Sequence, residues 1–136
     1  MAGIRLAEGC DVLAFAVVHA DELAWTPAEG RRDGSVAAGR GAVVLTVAGD
    51  GASLLGTDTG AAKVSPLELY PTKGRGTGGV RSQRFLKGQN TLIRAYVGAS
   101  PLVACTQSGH AVPLPAVDMR RDGSGSELPA AIDDVA

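Results

Sequence analysis

The sequence predicts an all-β chain organised as propeller blades, about two blades' worth of four-stranded antiparallel units. Short runs rich in Val, Leu, Ile and Ala are bounded by glycine and polar turn residues. No segment sustains a helical period. Half-units of the chain also repeat when laid over one another.

Residues 11–18 (DVLAFAVV) form an apolar run with Gly9 before it and His19 and Asp21 after it, which reads as a buried strand. From 19 to 41 the composition changes. Pro27, Gly30, Gly34 and Gly39, with Arg31, Arg32 and Asp33, suggest a long surface connection that Trp25 pins to the body. Residues 42–48 (AVVLTVA) are the next strand, 49–60 a polar, glycine-rich tip, and 61–67 (AAKVSPL) the returning strand, ending at Pro66. Two further strands, 80–86 and 91–97, are joined by the turn Lys87-Gly88-Gln89-Asn90. A last pair, 101–106 and 111–117, flanks Ser108-Gly109.

At one constant offset Pro66-Leu67 recurs as Pro113-Leu114, Lys73 as Arg120, and Gly76-Thr77-Gly78 as Gly123-Ser124-Gly125. The start of the chain repeats the middle. Gly3-Ile4-Arg5 matches Gly79-Val80-Arg81, and after a three-residue adjustment Glu8-Gly9 falls on Lys87-Gly88 and residues 12–18 on 91–97. The chain thus reads as one domain containing the end of a unit (1–18), a connecting loop (19–41), a complete unit (42–97), the start of a further unit (98–129) and an acidic tail (130–136). The tail is expected to be disordered.

The 136 residues suffice for one domain with a core, and with 4% aromatics that core must rest on aliphatic side chains. The net charge of −1 conceals an asymmetry. Residues 63–94 hold seven Lys or Arg and a single acid, Glu68, whereas the region after Val117 holds Asp118, Asp122, Glu127, Asp133 and Asp134 against Arg120 and Arg121. A basic middle followed by an acidic end suits a polyanion-binding face with a neutralising tail. Cys10 and Cys105 stand alone, with no spacing of the metal-binding or disulfide-scaffold kind, and point to a reducing cytosolic compartment. No apolar run reaches the length of a membrane span and no signal-peptide pattern opens the chain.

The basic region centres on residues 72–87 (TKGRGTGGVRSQRFLK). Gly74, Gly76, Gly78 and Gly79 make a loop able to adopt positive φ, and its peptide N–H groups beside Lys73 and Arg75 suit phosphate oxygens. Arg81, Arg84 and Lys87 follow. Strand alternation would place Arg81, Gln83 and Lys87 on one side and Arg84 on the other.

The order of strand, hairpin, strand ending near Pro66-Leu67, then Tyr70-Pro71 and Lys73-Gly74-Arg75-Gly76-Thr77-Gly78-Gly79-Val80 resembles a blade of the C-terminal domain of type IIA DNA topoisomerase A subunits, gyrase or topoisomerase IV. Residues 63–92 (KVSPLELYPTKGRGTGGVRSQRFLKGQNTL) are most similar to the actinobacterial topoisomerase IV-like branch. The resemblance implies a β-pinwheel whose blades exchange strands and whose basic rim binds and bends duplex DNA. It also implies, as partners, the remainder of the A subunit and an ATPase B subunit, in the bacterial cytoplasm at the nucleoid. Lys63 would match the basic position of the second blade strand, Lys73 and Arg75 the Gly-Arg-Gly turn, and Arg81 the start of the third strand. The gyrase box Gln-Arg-Arg-Gly-Gly-Lys-Gly is absent, so wrapping with a fixed hand is not implied.

The expected DNA-contacting set is therefore Lys63, Lys73, Arg75, Arg81, Arg84 and Lys87, with Gly74, Gly76, Gly78 and Gly79 as a backbone phosphate loop. No catalytic residue, metal site or cofactor is expected. Tyr70 and Tyr96 read as packing residues, His19 and His110 lack partners at ligand spacing, and the Asp133-Asp134 pair sits in a small-residue tail. Open strand edges lead to an expectation of self-association. The competing reading is a structural or protein-interaction cap that closes a propeller and binds little DNA.

Overall fold

The computed structural model describes residues 6, 8–9, 12–27, 39–50, 59–72, 78–100 and 102–135. Among them the architecture is all-β, with antiparallel sheets and two single-turn 3-10 segments, Ala20–Glu22 and Leu67–Leu69. A short ribbon pairs β1 (Thr26–Pro27) with β2 (Gly39–Arg40). The principal sheet is formed by β3 (Ala42–Gly49), β4 (Ala61–Pro66), β5 (Thr91–Ala99) and, from far along the chain, β8 (Ser126–Glu127), in the order β5-β3-β4-β8. The second sheet has β6 (Ala104–Cys105) between β7 (Ala111–Val112) and β9 (Asp134–Val135). The described strands do not close into a barrel or a ring of blades.

Every residue of β3 and β4 is buried. Their register places Val43 opposite Pro66, Leu45 opposite Val64 and Val47 opposite Ala62 on one face. That face meets Leu102, Ala104, Val112 and Leu114 of the second sheet and its flanks, together with Leu128 and Ile132, in a single aliphatic core. Full burial of a Val or Leu contributes about 1.5–3 kcal/mol, so this aliphatic seam joining the two sheets supplies what the sparse aromatics cannot. Trp25 packs against the cluster, as does Tyr96. The opposite face carries Val44, Thr46, Ser65 and Lys63, also buried, so β3 is covered on both sides.

The strands at 42–48, 61–67 and 91–97 appear close to their expected bounds, whereas 101–106 and 111–117 shrink to the two-residue strands β6 and β7. Three other expectations are corrected. Residues 12–18 join no ladder among the described residues, and Phe15 and Val17 are 86% and 89% exposed. Residues 80–86 also carry no ladder, since side chains and the 121–124 return occupy the β4 edge that they approach. The acidic tail is ordered rather than free. Ile132 is buried in the core, Asp133 donates its N–H to the Cys105 carbonyl at 2.8 Å, and β9 pairs with β6.

Candidate nucleic-acid interface

The chain from Gly78 to Gln89 runs beside the 123–124 return, sets Gln83 against Thr46 of β3 and then turns into β5. A tight turn ends it. Gln89 donates its N–H to the Leu86 carbonyl at 3.0 Å, Leu86 donates its N–H to the Gln89 Oε1 at 2.7 Å, and Asn90 donates its N–H to the Gly49 carbonyl at 2.9 Å. Gly88 sits in this turn at φ 88°, a conformation costly for residues with a Cβ. The turn presents Arg84, Phe85, Leu86 and Lys87 to solvent.

Arg81, Arg84 and Lys87 are all exposed and available to an anionic partner. An open cleft of about 450 Å³ is lined by Arg81, Ser82, Gln83, Arg84, Phe85 and Leu92, two arginines and one aromatic residue among them. Arg121 enters the same neighbourhood by donating from Nε to the Arg81 carbonyl at 3.1 Å. By its place in the sequence Arg121 belongs to the acidic end. Only the return of the chain across the sheet brings it here.

Gln83 does not share the side of Arg81 and Lys87. It is 4% exposed, because without a strand ladder there is no strict alternation. Its Oε1 accepts from Thr46 Oγ1 at 2.9 Å, and its Nε2 donates to the carbonyls of Ala61 and Ser124, each at 2.9 Å. The amide thus joins β3, β4 and the 118–128 return. In the same region Arg84 donates its N–H to the Gly123 carbonyl at 3.2 Å, and Asp118 donates its N–H to the Val64 carbonyl at 2.7 Å.

Lys63 is likewise interior. At 1% exposure it is the largest fully buried side chain among the described residues, and its ammonium donates to Ser65 Oγ and, at 2.5 Å, to the Arg121 carbonyl. Burial lowers its pKa from 10.5, opposed by the nearby carboxylates of Asp118 and Asp122 and assisted by Arg121. A head group held between two protein acceptors beneath a loop cannot reach a phosphate in this conformation. Lys63 therefore leaves the contact set, and its role here is to hold the 118–126 return against β4.

Lys73, Gly74, Arg75 and Gly76 lie outside the described residues. Gly78 and Gly79 are exposed, neither takes positive φ, and a Cβ on either would meet nothing. Their repeat counterpart is different. Gly125, which aligns with Gly78, has φ 79°, and a Cβ there would stand 2.5 Å from the Ala62 carbonyl oxygen. Of this aligned pair, only Gly125 requires a glycine, because there the chain presses on β4.

Tyr70 bonds through its hydroxyl to Ser82 Oγ, and burial raises its pKa above 10.0, with the Ser82 bond and Arg121 acting in the opposite direction. Among the described residues no group of three or more His, Cys, Asp or Glu could hold a metal ion. No described helix is long and apolar enough to cross a membrane. No protein family and no curated protein matches this chain.

Proposed function

We propose that this chain is a non-catalytic module that binds and bends duplex DNA without reading its sequence. Its sheets would be blades of a β-pinwheel at the C-terminal part of a type IIA topoisomerase A subunit, working with the rest of that subunit and an ATPase B subunit at the bacterial nucleoid. The observation that carries the reading is the exposure of Arg81, Arg84 and Lys87 on one continuous stretch, in a sequence with no acidic residue between Glu68 and Asp118. Cations spaced along one edge, with no carboxylate on that stretch to neutralise them, match the repeating charge of a phosphate backbone. Bending a duplex along such an edge costs on the order of 1–6 kcal/mol, offset by the additional phosphate contacts that it allows. The resemblance of residues 63–92 to topoisomerase blades supplies the larger setting.

The test is fluorescence anisotropy of a labelled duplex at several salt concentrations, comparing the wild type with a variant in which Arg81, Arg84 and Lys87 are changed to Gln. Each lost phosphate contact should reduce the slope of log K against log salt by about 0.9. Equal affinity and slope in the two proteins would refute this edge as the contact surface. A second reading, a structural or interaction cap, is favoured by the solvent-exposed apolar residues of 12–17, which suit a protein partner rather than DNA. Absence of binding at low salt would select it.

A further inference from the structure

The cleft lined by Arg81, Ser82, Gln83, Arg84, Phe85 and Leu92, at about 450 Å³, falls in the range of roughly 300–1,000 Å³ common to small-molecule sites. Its polar groups divide into two sets. The Gln83 amide is committed to the protein, with Oε1 accepting from Thr46 Oγ1 and Nε2 donating to the carbonyls of Ala61 and Ser124. Ser82 Oγ is bonded to the Tyr70 hydroxyl. The N–H of Arg84 goes to the Gly123 carbonyl, and the carbonyl of Arg81 accepts from Arg121 Nε. These bonds hold the chain from 81 to 84 in place and occupy groups that could otherwise read the hydrogen-bonding edge of a ligand.

Among the described residues this leaves the exposed side chains of Arg81 and Arg84, and Phe85 at 41% exposure. No carboxylate is among the described residues that line the cleft. Two cations and an aromatic residue, with the edge-reading groups withdrawn, suit an anionic ligand that also carries a flat π face. A nucleotide has both. In a continuous duplex each base face is covered by its neighbours, so only phosphates are presented. A base displaced from the stack offers its face as well.

We propose that this cleft receives one unpaired base of a DNA strand, stacked on Phe85, while Arg81 and Arg84 hold the phosphates that flank it. Resting on the DNA-binding reading above, this makes DNA with a displaced base, whichever base it is, the preferred ligand over a continuous duplex. The same site favours bending, since unstacking is part of the cost of a kink and a displaced base has already met it.

The test is fluorescence anisotropy of the whole chain with labelled DNAs of otherwise identical sequence: a continuous duplex, the same duplex with one unpaired adenine, and the same with an abasic residue in that place. The unpaired adenine should strengthen binding by about fivefold or more, the low end of what stacking on an aromatic side chain contributes. An unpaired thymine should do likewise. The abasic residue keeps the flexible joint but has no base to stack, so most of the gain should be lost. Phe85→Ala should bring the affinities for the continuous and adenine-bearing duplexes together, and Phe85→Trp should keep them apart. The abasic comparison is made on the wild type and is independent of how well either variant folds. A wild type that binds the continuous and adenine-bearing duplexes equally would overturn this inference alone. So would a gain that persists with the abasic residue or in Phe85→Ala. Absence of binding to every one of these DNAs at low salt would overturn the DNA-binding reading together with it.

Discussion

Strand β3 and residues 12–18 are close to interchangeable in composition, AVVLTVAG against VLAFAVV, yet every side chain of the first is buried and the second stands largely in solvent. The difference lies in their neighbours. β3 has β4 on one edge, β5 on the other and the second sheet across one face, whereas 12–18 has no ladder partner among the described residues. An apolar β-prone run is a capacity for pairing, and burial follows only when another strand is present to satisfy its backbone.

The sharpest break of this comparison is a truncation at equivalent chemistry. Leu45→Ala should cost about 2–5 kcal/mol in denaturant unfolding, since it opens a cavity between the sheets. Phe15→Ala should stay within about 0.5 kcal/mol in the monomer. Comparable losses would mean that 12–18 is packed in solution.

A second test contrasts the polar groups of one stretch. Gln83→Ala should cost about 1–3 kcal/mol, because it strands Thr46 Oγ1 and the carbonyls of Ala61 and Ser124 beneath the surface. Arg84→Ala, at the very next residue and exposed, should alter stability little while weakening any binding to DNA. Calorimetric midpoints and anisotropy on the same two variants separate the roles.

The repeated glycines provide a finer comparison. Gly125→Ala should destabilise by about 1–2 kcal/mol from its left-handed φ, and more if the Ala62 carbonyl cannot yield. Its counterpart Gly78→Ala, facing open space, should be neutral or slightly stabilising by stiffening the unfolded chain.

The smallest expected effect is on the pH dependence. The pKa of Lys63 is lowered in the fold, so between that value and 10.5 the unfolded chain binds the additional proton and stability rises with pH. Tyr70 has the opposite sign, its raised pKa making stability fall as pH increases past 10.0. In Lys63→Met the rising limb should disappear and the Tyr70 limb remain. Denaturant midpoints measured through the alkaline range would show this, and an unchanged profile would place the ammonium in water.

The sequence by itself determined the β class, the three long strands and the turns at 87–90 and 108–109, because β-branching and glycine placement act over a few residues; the tip at 49–60 and the glycine loop lie largely outside the described residues. It also marked the cations Arg81, Arg84 and Lys87, which need only solvent to be what they seem. Tertiary structure decided the rest. Lys63 and Gln83 look like surface residues until the 118–128 return folds over β4 and supplies the acceptors and donors that permit their burial. The acidic tail looked free until Cys105 and β6 offered it an edge. Burial of a polar group depends on partners distant in the chain, Lys63 from Arg121 and Gln83 from Ser124, and no local pattern encodes that encounter.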